Sequence, residues 1–178
     1  MTTRPHLHGF TLLEVAMVLL IVGFVGSLAL PAFGEAVARH HLRAAADELL
    51  GTLQKARATA VWRDHPTRVC ASEDGRTCSA FVDWTRGWIG RDIPHGDVFA
   101  ATPHLHRKLT TTRRPGRQEV DFTSNGTAPG ANQTLVLCVR GRPDTALAIA
   151  VSNAGLPHRT SVTPDDAAAC ANRPSRSR

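Results

Sequence analysis

At 178 residues the chain has room for one ordinary domain with its own core, not two comfortable ones, and it contains no internal repeats. Its formal charge of +6 is placed unevenly: residues 34–99 hold nine Lys/Arg against nine Asp/Glu, and residues 100–178 hold eleven against five. That excess suits either a polyanionic or acidic partner or simply a soluble basic protein; with no G-x-S-x-G, H-E-x-x-H or phosphate-cradling glycine loop, no enzyme, catalytic residue or cofactor is expected.

The first element is an apolar run. Val15 to Phe33 gives nineteen residues without a formal charge, and at about 1.5 Å per helical residue such a run can cross a hydrocarbon core of about 30 Å. A secretory signal peptide cut near Ala32-Phe33-Gly34, or a plain membrane anchor, would both leave Glu14 unexplained at the start of the run, where a carboxylate is costly without a partner. Gly23 and Gly26 weaken the helix, and Pro31 is expected to kink or locally melt it.

Beyond Phe33 the spacing predicts an amphipathic helix over residues 34–64. Leu42, Ala46, Leu49, Leu53, Ala56 and Ala60 recur at threes and fours on one face, with Arg43, Asp47, Glu48, Lys55 and Arg57 off it. This is the signature of a helix packed by one side on a sheet. Pro66 should stop it near Asp64.

The remainder, residues 65–170, reads as strands and turns. Strands are expected near Thr67–Ala71, Gly87–Asp92, Gln118–Thr123, Thr134–Arg140, Thr145–Ser152 and Arg159–Thr163. Gly141-Arg142-Pro143-Asp144 is expected to turn a hairpin between the two strongest strands, and Ser124-Asn125-Gly126 to make a second turn. Pro94–Gly116 has little pattern and reads as a long loop; residues 171–178 read as a disordered basic tail. The adjacent acids Glu73-Asp74 and Asp165-Asp166 look like solvated loop charges, and Trp84 and Trp88 like core residues. The His104-x-His106 pair could contribute to a metal site, but two of nine loop histidines read more simply as exposed side chains, and no metal is expected.

Cys70, Cys78, Cys138 and Cys170 all follow the apolar run. Four cysteines in an exported domain indicate two disulfides rather than zinc, because no C-x-x-C pair is present. Three pairings are possible; Cys70–Cys78 with Cys138–Cys170 closes the shortest loops.

The segment Gly9-Phe10-Thr11-Leu12-Leu13-Glu14, ahead of the charge-free run, resembles the leader-processing site of type IV prepilins and type II secretion pseudopilins. The resemblance implies that residues 1–9 are a leader, that prepilin peptidase cuts after Gly9 and methylates Phe10, and that Glu14 guides filament assembly from within the apolar helix 10–33. Pro31 suits the family as well. Downstream, the helix end at Leu53–Val61, Val69-Cys70, Gly87-Trp88-Ile89, the Cys138 strand and Ala148–Gly155 are similar to the FimT/GspH-type minor pilins and pseudopilins. The implied architecture is α+β: a long N-terminal helix, first transmembrane and then amphipathic, packed on an antiparallel β-sheet domain. The implied partners are other pilin or pseudopilin subunits, prepilin peptidase and the inner membrane. The chain would sit in the bacterial inner membrane by a single pass with its C-terminal domain in the periplasm, then pass into a pilus or pseudopilus.

An alternative is binding of double-stranded DNA during natural transformation, which some FimT-like proteins perform through a motif resembling G-R-x-R. The corresponding stretch here is Gly155-Leu156-Pro157-His158-Arg159, with Leu156 and His158 in place of the two arginines. Arg140 and Arg142 at the expected hairpin tip, Arg113, Arg114 and Arg117 around Pro115-Gly116, and Arg159 are the candidate residues, and Arg173, Arg176 and Arg178 on the basic tail could add to them.

Overall fold

The computed structural model describes residues 11–79, 83–114 and 117–173, with the side chains of residues 28–32 outside that description. The chain divides into two compact units, one ending at Val37 and the other beginning at Ala38. A single helical element, α1 (Leu12–Arg63), contributes to both.

In the first unit α1 is apolar on every side. Leu12, Leu13, Val15 and the consecutive residues Met17 to Val22 all face solvent, as do Phe24 and Val25. Residues 12–25 are exposed without a break, more than three turns of helix, so no face of it is covered. Among the described residues no helix is long and apolar enough to cross a membrane; the nineteen-residue run of the sequence includes positions 28–32, whose side chains are not described. The helical backbone continues through Pro31, so the local melting expected there does not occur.

The second unit is built on the other half of α1. Every residue of the expected stripe is buried, from Leu42 to Ala60, and Ala38 and Ala45 join it. Alanines on this face let the sheets approach closely, and Leu49 and Leu53 fill the middle. The helix stops where expected: Asp64 takes the left-handed conformation (φ 54°), His65 N–H donates back to the Ala60 carbonyl at 3.2 Å, and Pro66 follows.

Two antiparallel four-stranded sheets complete the domain. The first contains β1 (Thr67–Ala71), β2 (Trp88–Asp92), β3 (Val98–Thr102) and β5 (Val120–Phe122), in the order β3-β2-β1-β5. The second contains β4 (Leu109–Arg113), β6 (Gln133–Val139), β7 (Arg142–Val151) and β8 (Pro157–Thr160), in the order β4-β6-β7-β8. Val69, Ala71, Trp88 and Phe122 of the first sheet share one apolar core with Leu135, Leu137, Ile149 and Val151 of the second and with the α1 stripe. Trp84 and Trp88 are core residues, their ring centroids 6.4 Å apart, and the Trp88 indole N–H donates to Thr52 Oγ1 at 3.3 Å. Alternation puts Val136, Cys138 and Ala148 on the opposite face of the second sheet, where Cys170 and Ala171 of a short helix, α2 (Pro164–Ala171), cover them.

Several sequence expectations need correction. Pro94–Gly116 is not one long loop: it carries β3 and β4, edge strands of the two sheets, and the run Leu109-Thr110-Thr111-Thr112 is β-branched enough to have been read as a strand. The hairpin between β6 and β7 is tighter than expected. Val139 pairs with Arg142, so Arg140-Gly141 alone make the turn, with Gly141 at φ 74°, and Pro143 and Asp144 lie within β7. Pro143 is tolerated because β8 pairs only with Ala148–Val151, leaving that part of β7 at an open edge. The strand expected at Arg159–Thr163 is β8, shifted toward the N-terminus and followed by α2. Thr163 caps α2 by accepting from Asp166 N–H, Pro164 opens it, and Asp165 and Asp166 fill its first turn. Residues 171–173, expected as the start of a disordered tail, are placed instead: Ala171 closes α2, and Arg173 donates to the Thr111 carbonyl. Residues 174–178 lie outside the described residues.

Both disulfides form, with the pairing that closes the shortest loops. Cys70–Cys78 ties β1 to the loop after it, and Cys138–Cys170 ties β6 to α2.

Candidate functional site

Gly9 and Phe10 lie outside the described residues, so the candidate processing site enters the structure at Thr11. Thr11 precedes the first helical residue, and its Oγ1 accepts the Glu14 N–H at 3.2 Å while its carbonyl accepts the Val15 N–H. This is half of a capping box, the T-x-x-E pattern in which the acid stands at the third helical position. The cap places the Glu14 carboxylate on the first turn, exposed, where the positive end of the helix dipole favours it. The same pattern is legible in Thr11-Leu12-Leu13-Glu14, although the leader-like motif overshadows it.

The candidate DNA-binding arginines do not converge. Arg140 stands at the β6–β7 turn with Arg142 at the start of β7, beside the Val139–Leu109 pair. Arg113 pairs with Leu135 at the other end of β4, four residues or about 13 Å along the strands. Arg159 lies on the far edge strand, β8. They therefore occupy three corners of the second sheet.

Three of the six are also matched by the chain's own carboxylates. Arg114 reaches Asp166 through Nε at 2.9 Å and Nη2 at 2.8 Å. Arg142 holds Asp144 at 3.1 and 3.2 Å, and Arg39 of α1 approaches the same carboxylate at 3.5 Å. Arg159 pairs with Asp47 of α1. The Arg114 guanidinium and the Thr163 hydroxyl hold the Asp166 carboxyl below its usual range, and Arg142 does the same for Asp144. Of the others, Arg113 Nη1 donates to the Arg117 carbonyl at 3.1 Å, and Arg140 Nη1 to the Arg173 carbonyl at 3.4 Å. Arg114, Arg142 and Arg159 thus form part of the fold's surface lattice of ion pairs. Such pairs are individually weak, about 0–1 kcal/mol, but each cancels a charge that a phosphate would need.

Acids read as free loop charges turn out to be structural. Asp74 accepts from the Arg76 and Thr77 backbone N–H groups, both at 2.8 Å, and from the Thr77 and Ser72 hydroxyls, and these bonds hold its carboxyl well below the ordinary range. Glu73 pairs with Arg86 at 2.7 Å. His106 stacks on His41 of α1 with ring centroids 4.6 Å apart, and desolvation together with His41, Arg107 and Lys108 lowers its pKa. Among the described residues no group of three or more His, Cys, Asp or Glu side chains is placed to hold a metal ion.

Comparison with known proteins puts this architecture in context. A family model described as Type II transport protein GspH matches residues 45–155. The type IV minor pilin FimU of Pseudomonas aeruginosa (strain PAO1) is similar in two crystal forms. One is 26% identical with a TM-score of 0.56, covering 69% of this chain and 90% of that chain; the other is 27% identical with a TM-score of 0.53, covering 67% and 93%. The minor pseudopilin EpsH from the type 2 secretion system of Vibrio cholerae shares the fold at 14% identity, with a TM-score of 0.51 over 68% of this chain and 97% of that chain. No curated protein sequence matches the chain.

Proposed function

The chain belongs to the GspH family of minor pilins and pseudopilins, and from that premise we propose that it is a non-enzymatic subunit assembled into a type IV pilus or a type II secretion pseudopilus. Prepilin peptidase removes residues 1–9 and methylates Phe10, the apolar half of α1 holds the subunit in the inner membrane, and the disulfide-bonded domain faces the periplasm until assembly.

The observation that carries this reading is the first half of α1, apolar and exposed on every side, with one carboxylate on its first turn. Covering a Leu, Val, Ile or Phe side chain is worth about 1.5–3 kcal/mol, and lipid or the stalks of neighbouring subunits can do so. Glu14 is the exception in that surface. Once Phe10 is the N-terminus, its α-amine lies within about one helical turn of the carboxylate. A neighbouring subunit's amine can then neutralise an acid that lipid leaves poorly paired. Stacking thereby stabilises a group that the membrane penalises.

The test is Glu14→Ala in the full chain, expressed with its partner subunits. Processing should continue, with N-methylated Phe10 found by mass spectrometry, while recovery in the filament fraction falls by about tenfold or more, the loss of one buried charge pair. Normal incorporation would remove the basis of the reading. A mature chain starting near Glu35 would replace it with that of an exported protein with a secretory signal.

A further inference from the structure

Among the described residues, two pairs of histidines from separate segments meet in the second unit, and their geometries differ. His41 and His106 lie face to face, with ring centroids 4.6 Å apart and planes within 6° of parallel. A metal ion lies near the plane of each imidazole that binds it, and two nearly parallel planes share no such point. His106 Nδ1 also accepts the Lys108 N–H at 3.3 Å. His65 and His95 are tilted by 54°, with ring centroids 5.2 Å apart. Two imidazoles on one tetrahedral ion, at metal–nitrogen distances of about 2.0–2.1 Å, hold their ring centres about 5 Å apart. The second pair has the spacing of a chelate, and the first does not.

The segments that carry His65 and His95 are clipped together by backbone. His65 follows the end of α1, where its N–H donates to the Ala60 carbonyl at 3.2 Å. His95 stands in the turn between β2 and β3. That turn is closed by the Asp92 N–H on the Asp97 carbonyl at 2.9 Å and the Gly96 N–H on the Asp92 carbonyl at 3.1 Å. Thr67 pairs with Asp92 across β1 and β2, and just beyond that pair the Ile93 N–H donates to the Pro66 carbonyl at 3.0 Å. Both histidines therefore leave fixed backbone, and a ligand that joins them meets little ordering cost.

Asp92 supplies the second requirement. Its side chain is 1% exposed, whereas that of His95 is 60% exposed. Asp92 Oδ1 accepts the His95 backbone N–H at 3.1 Å and lies 3.4 Å from His95 Nδ1. A proton on Nδ1 bridges the ring to the carboxylate and leaves Nε2 with the lone pair that a metal needs. Carboxylates placed in this way fix the tautomer and raise the basicity of metal-binding imidazoles. Burial pushes the Asp92 carboxyl up, but the His95 N–H and ring, and the charges of His95 and His65, outweigh it and hold it below its usual range. An ionised acid beside both rings favours a cation there.

We propose that His65 and His95 bind a divalent transition-metal ion, zinc being the simplest, through one ring nitrogen each, with Asp92 as the residue that orients His95. Two protein ligands leave the remaining positions of the ion to water, so the site is open, and it joins the end of α1 to the β2–β3 turn. Imidazole ligands select zinc, copper or nickel over magnesium and calcium, which take oxygen. The site does not depend on the filament-subunit reading.

The experiment uses the full chain in detergent, without an affinity tag and stripped of metal by a chelator, with zinc chloride alone as the probe. Titration calorimetry should show a binding event of about one equivalent that disappears in His65→Ala and in His95→Ala. Asp92→Asn should weaken it by about 10–100-fold, and His41→Ala combined with His106→Ala should leave it unchanged. Zinc should raise the thermal midpoint of the unaltered chain but not that of His95→Ala. Because His95 is exposed, its variant decides the matter even where Asp92→Asn does not fold. The proposal is overturned by the absence of zinc uptake, by uptake that His95→Ala or a folded Asp92→Asn leaves at full strength, or by uptake lost with the His41 and His106 pair.

Discussion

Gly155 is the most closely hemmed of the described glycines. It adopts φ 74° and leaves no space for a Cβ, since that atom would sit 1.9 Å from the Gly126 carbonyl oxygen. A left-handed conformation alone costs a non-glycine residue about 1–2 kcal/mol, and here the obstruction is backbone. Gly155→Ala is therefore expected to destabilise the domain by about 2 kcal/mol or more, visible as a lower midpoint in denaturant unfolding. By contrast Gly141→Ala, at the same φ but with open space around it, should show only the conformational part. Neither difference is legible in the sequence, where both glycines simply mark turns. The α1 stripe was legible, because helical spacing between near neighbours declares which face turns inward.

Among the elements, α2 depends most on a covalent tie. It is eight residues long, below the length at which an isolated helix holds. What fixes it is its Thr163 cap, the Arg114–Asp166 pair and the Cys138–Cys170 bond that joins it to β6. The two disulfides close loops of sequence separation 32 and 8, for which loop-closure entropy gives about 3.5–4 and about 2.5 kcal/mol. Replacing Cys138 and Cys170 by Ser should accordingly lower stability more than replacing Cys70 and Cys78, and amide exchange should show α2 opening first in the former. Sequence reading missed α2 and also β3 and β4. The cap, proline and paired acids of Thr163-Pro164-Asp165-Asp166 were sufficient to announce the helix. The edge strands were harder: β3 has half-exposed residues and no clean alternation, and only its pairing with β2 makes it a strand.

At the scale of the molecule, charge and apolar surface are arranged differently from what composition suggests. Among the described residues, the candidate arginines of the basic stretch 100–178 sit at three corners of one sheet, and half of them face the chain's own carboxylates. The expected outcome is that the chain is not retained by duplex DNA even at about 50 mM salt, where phosphate contacts are strongest. Retention that Arg140→Ala with Arg142→Ala weakens equally for all sequences would restore the DNA-binding alternative. Where a G-R-x-R motif would present cations, Leu156 instead joins Trp62 in an apolar groove.

The sequence alone determined the α+β class, the apolar stalk with its single acid, the buried face of α1 and the cap-and-proline stops, because each depends on residues within a few positions of one another. Only the tertiary structure decided which cysteines pair, which arginines already have acids, how two glycine turns interlock and where exposed apolar side chains meet. Those outcomes depend on contacts between segments far apart in the chain, and periodicity carries no information about them.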